Sequence, residues 1–202
     1  MRRLVFLAPL VLFVPGFLAM ILGGGWTWFL PVFTFVVLPL TELVLPPDRV
    51  NLDAEGEATA LRDCTFDLLV WAIVPTQLLL LGAYLWRLSV GGLASWELAG
   101  TVFTMGIACG VYGINVGHEL GHRRAPFEQT LAKILLGTSL YAHFFVEHNR
   151  GHHRRVATPD DPASAREGET VYGFWLRSVV QGWRSAWKLE NDRLEREGVA
   201  WW

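Results

Sequence analysis

The chain has 202 residues, 52% of them hydrophobic, with ten tryptophans and a formal net charge of only −2. A charge so near zero leaves no electrostatic footprint for a nucleic-acid partner. Cys64 and Cys109 lie far apart and form no C-x-x-C unit, which predicts two thiols rather than a disulfide framework.

The apolar residues are gathered into blocks. Residues 4–22, 68–86 and 98–116 each run 19 residues without a charge, and residues 26–45 carry only Glu42. A helix needs roughly 20 apolar residues to cross the hydrocarbon core. The pattern predicts helix 1 over 4–22, a Gly23-Gly24-Gly25 turn, and helix 2 over 26–45, ending at Pro46-Pro47. A polar segment over 48–63 follows, then helix 3 over 65–86, a loop over 88–95, and helix 4 over 96–117. The first block is long for the apolar part of a signal peptide, contains Pro9 and Pro15, and leads straight into the second, so it reads as half of a retained hairpin. Arg2 and Arg3 place the N-terminus in the cytoplasm. After four crossings the chain returns there, where it meets Arg123, Arg124, Arg150, Arg154 and Arg155.

Helix 4 carries Gly106/Gly110 and Gly113/Gly117, two G-x-x-x-G pairs. They predict close helix packing, or a slot for an apolar chain. Residues 127–146 read as one further helix whose apolar stretch of 13 residues is too short to span. Residues 158–166 form a proline-punctuated loop in which Asp160 and Asp161 act as turn formers or as partners that orient imidazoles. Tyr172, Leu176, Val179, Trp183 and Trp187 then recur at helical spacing. They describe an amphipathic helix, lying on the cytoplasmic membrane surface or packed on the rest of the domain. The fold class is therefore all-α, a polytopic membrane bundle of about four spans. Residues 1–202 are taken as a single integral-membrane domain, with spans in 1–117 and surface helices in 118–202.

Five of the six histidines fall in two boxes, His118-Glu119-Leu120-Gly121-His122 and Glu147-His148-Asn149-Arg150-Gly151-His152-His153. Residues four apart share a helix face, so His118 and His122 converge, as do His148 and His152. His153, about 100° further round an α-helix, points to a neighbouring spot, as a ligand of a second ion would. A sulfur-free imidazole set suits a transition metal such as iron, zinc or copper. His143, in an apolar context, reads as a buried or supporting group.

These boxes, with the continuation Val156-Ala157-Thr158-Pro159 into Asp161-Pro162-Ala163-Ser164-Ala165-Arg166, resemble the membrane-bound alkane hydroxylases. The wider group includes xylene monooxygenase and the membrane fatty-acid desaturases. The resemblance is strongest over residues 115–198. It implies a non-haem di-iron centre in a bacterial inner membrane, facing the cytoplasm, with His118, His122, His148, His152 and His153 as iron ligands. The implied reaction is O2-dependent hydroxylation of a medium- or long-chain alkane to a 1-alkanol. The implied electron source is NAD(P)H through a rubredoxin reductase and rubredoxin, and membrane lipid is the remaining partner. No catalytic residue beyond the ligands is implied. The family has a third histidine box after two more membrane helices, and this chain has neither. It is expected to be a fragment of a longer product, inactive alone.

Three other readings stand beside this one. A lipid desaturase or fatty-acyl hydroxylase carries similar boxes. His118-Glu119-Leu120-Gly121-His122 also fits H-E-x-x-H, the signature of a zinc membrane protease with Glu119 as general base. The last is a metal-binding membrane protein without activity.

Overall fold

The computed structural model describes residues 6–46 and 51–199, all helix and loop. By contact the chain divides into two compact units, Met1–Val116 and Gly117–Trp202.

The first unit holds α1 (Ala8–Leu22), α2 (Gly24–Val44), α3 (Ala54–Ala60), α4 (Cys64–Val90) and most of α5 (Ser95–Gly121). Length and apolar composition allow α2, α4 and α5 to cross a membrane. The α1 helix, expected from residue 4, is 15 residues long, about 22 Å at 1.5 Å per residue, and residues 4 and 5 lie outside the described residues. So do Arg2 and Arg3 of the orientation argument, part of the 48–63 segment, and residues 200–202.

Gly23 and Gly24 turn the chain with φ of 63° and 57°, a left-handed backbone that side chains resist. The Gly24 N–H donates to Glu97 Oε1 at 2.6 Å, while Glu97 Oε2 accepts from its own Ala94 N–H at 2.8 Å. One carboxylate thus caps α5 and fastens the turn ahead of α2. Below it Gly100 lets α2 approach, because a Cβ there would stand 2.6 Å from Thr27 Oγ1 and 2.7 Å from Trp28 Nε1. The Thr104 hydroxyl donates to the Thr27 carbonyl at 2.8 Å. Phe13 stacks on Tyr112 with ring centroids 4.0 Å apart, and Met20, Leu80 and Ala108 are fully buried. Outward residues are as apolar as the core, with Phe35 67% and Leu79 66% exposed. That is the surface of a protein whose solvent is lipid. Small residues on α5 do pack closely at Gly100. Among the described residues nothing stands within 4 Å of a Cβ built at Gly106 or Gly110, so that pair faces open space.

The second unit begins inside α5, which runs four residues beyond the predicted end and carries the first box on the helix itself. Gly117 sits against α6 (Pro126–Thr138), 3.0 Å from Leu136 Cγ by its Cβ direction. The helix expected over 127–146 is broken. Leu140 takes a φ of 55° and the Tyr141 N–H returns to the Leu136 carbonyl at 2.9 Å. A second helical piece, α7, then covers residues 143–155. The loop that follows is strapped by Arg177, which donates to both Glu169 oxygens at 2.6 Å and to the Pro162 and Ser164 carbonyls. The long helix α8 (Val171–Glu197) is capped by Thr170, whose hydroxyl accepts from the Gly173 N–H, and packs on α7.

Candidate metal centre

The first box rides the last turn of α5. Leu120 and Gly121 on one side of that turn are buried, which leaves His118 half-buried and His122 exposed. The second box lies in a π-helical stretch of α7, Glu147–His152, not in an α-helix. The His153 N–H bonds to the His148 carbonyl, five residues back. A helix closed by i→i+5 bonds brings the residue five on back over the starting one. His153 therefore comes back over His148, and its Nε2 stands 3.1 Å from His148 Nε2, while its ring still diverges from that of His152 at 71°.

His122 Nε2 also stands 3.1 Å from His148 Nε2. Donor nitrogens of His118, His122 and His148 all lie within 4.8 Å of one another. Three imidazoles, those of His118, His122 and His153, are thus gathered around His148. His152 stacks on the His148 ring at 5.2 Å and is held from behind by a carboxylate. Asp161 has a fully buried side chain whose Oδ2 lies 2.9 Å from His152 Nδ1 and accepts the Ser164 hydroxyl at 2.6 Å. Its Oδ1 accepts the Ala163 N–H at 3.0 Å. Burial alone would raise the Asp161 carboxyl, but the Ser164, Ala163 and His152 bonds together hold it below its ordinary value. An ionised Asp161 fixes Nδ1 as the protonated nitrogen of His152 and leaves Nε2 as the lone-pair donor. The sequence favours a turn role for the two aspartates. Asp161 forms both the turn and the imidazole contact, while Asp160 is exposed.

The donor chemistry fits a cation. A neutral imidazole nitrogen offers either one N–H or one lone pair, so His148 Nε2 cannot satisfy two Nε2 neighbours by hydrogen bonding. A cation held between such donors removes the conflict, and the donors of His118, His122 and His148 lie close enough together to share one. Two nitrogens each about 2.1 Å from an ion and at right angles stand about 3.0 Å apart, close to the observed spacing. Burial first, and then the positive charge of neighbouring histidines, pulls His148 down to about 4, which favours the neutral ligand form. Phe144 stacks on His148 with centroids 4.8 Å apart and meets His118 edge-on at 5.7 Å, closing one side of the cluster to water.

Beneath the second box lies a feature not read from the sequence. Glu147 is 6% exposed, and its Oε1 accepts from Arg155 Nη2 at 2.7 Å. Arg155 Nη2 also donates to Ser185 of α8 at 2.8 Å. Burial pushes the Glu147 carboxyl up, with Ser185 and Arg155 pulling it back. Gly151 makes the room, since a Cβ there would stand 2.5 Å from both carboxylate oxygens. The signal was the spacing Glu147, Gly151, Arg155, four residues apart on one face.

His143 stands apart from the cluster. It meets Tyr141 edge-on at 4.6 Å and lines a cavity of about 150 Å³ with Val146, Ala186, Trp187 and Glu190. Glu119 is mostly exposed, 3.7 Å from Arg123, and is not among the donors that meet within 4.8 Å. A general base must reach the water it activates, so its placement disfavours the protease reading.

Asp161→Asn tests the support directly. Loss of a carboxylate behind a ligand histidine costs about 10–100-fold in metal affinity. We expect a drop of that size in cobalt(II) titrations of the purified chain, with the helical circular-dichroism signal unchanged.

The chain is similar to known proteins over most of its length. The chain is 37% identical over 166 residues to the alkane 1-monooxygenase of Pseudomonas putida, covering 82% of this chain and 41% of that protein. It is 35% identical over 181 residues to alkane 1-monooxygenase 1 of Alcanivorax borkumensis, covering 88% and 45%. It is 28% identical over 196 residues to the xylene/toluene monooxygenase hydroxylase component of Pseudomonas putida, covering 93% and 49%. The chain spans about half the length of these curated relatives. The family model for fatty acid desaturase matches residues 94–200, which take in α5, both histidine boxes and α8. That match extends over more than half of the chain and runs through every histidine of the cluster: the chain belongs to the fatty acid desaturase family.

Proposed function

We propose that this chain supplies part of the active site of an oxidoreductase that hydroxylates the terminal carbon of medium- or long-chain alkanes with O2. The observation that carries it is the convergence of His118, His122, His148 and His153, backed by His152 on Asp161. Relatives named alkane 1-monooxygenase support the substrate class. His118, His122, His148, His152 and His153 would hold iron as a non-haem di-iron centre. When bound, that centre supplies O2 activation and oxygen insertion into the C–H bond. What these residues do is narrower. The imidazoles hold the metal, Asp161 sets the His152 tautomer, and Phe144 excludes water. No side chain of the cluster is assigned a proton-transfer role.

Electrons would come from NAD(P)H through a rubredoxin reductase and rubredoxin at the cytoplasmic face of a bacterial inner membrane. An acidic donor would be attracted by the basic residues Arg123, Arg124, Arg154 and Arg155, of which Arg123 pairs with Glu128 and Arg155 with Glu147. Arg124 and Arg154 are the exposed pair. With five histidines this chain holds part of the centre and does not turn over alkane alone.

The test is a membrane assay of the complete reading frame around this chain, with reductase, rubredoxin, NADH, an alkane and ¹⁸O2. Labelled 1-alkanol is the expected product. An unsaturated lipid in its place would give the site to a desaturase, and turnover by residues 1–202 alone would overturn the partial-site reading.

A further inference from the structure

Helix α8 has three different sides. One packs on α7 through Ser185 against Arg155, and near residue 187 this packing meets the edge of the second side, where Ala186 is buried, Trp187 lines the His143 cavity and Glu190 pairs with Arg150 at 2.9 Å. A second side is a stripe of Tyr172, Leu176, Val179, Trp183 and Trp187 at spacings of three and four. These residues are 49–75% exposed, although three of the five are aromatic and the other two aliphatic. The third side, flanking the stripe, presents exposed Arg184 and Lys188.

Charge is segregated along the helix. Residues 171–189 contain three cations, Arg177, Arg184 and Lys188, and no acidic residue. Arg177 is consumed by Glu169. All the acidic residues of α8 come from Glu190 onward, where Glu190 and Glu197 pair with Arg193. The apolar stripe from Tyr172 to Trp187 is therefore about 22 Å long at 1.5 Å per residue, edged only by positive charge, and ends where the acidic segment starts.

We propose that this stripe docks on an anionic phospholipid surface, with the helix lying in the interfacial plane. The chemistry points to lipid before protein. Indole and phenol rings seek the boundary between headgroups and acyl chains. Exposed Arg and Lys beside an apolar stripe are attracted by lipid phosphates. The chain also carries three helices able to cross a membrane, so a bilayer is always at hand. The consequence reaches the metal centre. Through Ser185–Arg155 and Glu190–Arg150, α8 ties the second histidine box to the level of the membrane surface. This inference stands whatever metal or substrate the site takes.

The test places an environment-sensitive fluorophore at Val179→Cys or Leu176→Cys in the full chain, with Cys64 and Cys109 replaced by alanine. The protein is reconstituted in vesicles of phosphatidylcholine and phosphatidylglycerol, with Gln181→Cys on the polar side as reference. At 176 and 179, phospholipid bearing a nitroxide high on its acyl chain is expected to quench at least about twofold more than at 181, as for a helix buried shallowly in the interface. Iodide should show the reverse order. Equal iodide quenching at 179 and 181 would overturn the proposal, since the face then lies in water. Quenching by neither reagent would overturn it too, since a protein surface then covers the stripe.

Discussion

Replacing His148 by alanine is expected to abolish metal binding by this chain. Of the five box histidines, His148 alone touches two others through its ring nitrogen, at 3.1 Å each. Its ring centroid is also 4.2 Å from that of His118. Removing it leaves His122 and His153 with ring centroids 4.9 Å apart and takes away the donor that links the α5 pair to the α7 pair. Losing a group that merely supports a ligand costs about 10–100-fold in affinity, so losing the linking ligand should cost at least about 100-fold by the same scale. Cobalt(II) absorption and bound-metal analysis of the purified chain read this without any need for turnover. His143→Ala is the control, because His143 faces the Trp187 cavity rather than the cluster, and it should bind metal as the unaltered chain does. Undiminished cobalt binding by the His148 variant would place the metal elsewhere.

The pairing of histidines within each box was legible because four-residue spacing is a local property of the chain, whereas the approach of one box to the other, 26 residues on, needed the fold. Three of the four expected spans, now α2, α4 and α5, were legible for a similar reason, since a long apolar block declares its own solvent, whereas the described part of the first block forms only the 15-residue α1. What escaped was the local geometry set by distant residues. An α-helical wheel sends His153 away from His148, yet the π-helical turn returns it. That turn is stabilised by Glu147 and Arg155 closing over Gly151, with Arg155 anchored on Ser185, 30 residues on. The break at Leu140 was hidden by the apolar residues around it, which suit a continuous helix as well as an interrupted one. Asp161 reads first for its turn chemistry, and its contact with His152, nine residues earlier, needs the fold.

Gly151→Ala should damage the site almost as severely without touching a ligand. The added methyl would stand 2.5 Å from both Glu147 oxygens and 2.6 Å from Arg155 Nη2. Neither neighbour can yield freely, since Glu147 is buried and Arg155 is held by both Glu147 and Ser185. Overpacking of this kind costs about 1–3 kcal/mol. The strain is relieved most directly by opening the π-turn, which moves His153 off His148. We expect about 10–100-fold weaker cobalt binding, the scale of a lost supporting contact, with an altered visible spectrum. Gly182→Ala supplies the contrast, because nothing among the described residues lies within 4 Å of its Cβ position. There alanine should stabilise α8 by up to about 1 kcal/mol through helix propensity. A double variant, Glu147→Ala with Gly151→Ala, separates crowding from any other effect of the methyl. Without the carboxylate the methyl has room, so the two substitutions should be less than additive in both stability and metal affinity. Strict additivity would mean that the glycine does not make room for Glu147, and that the π-turn is held by other contacts than the Glu147–Arg155 pair closing over Gly151.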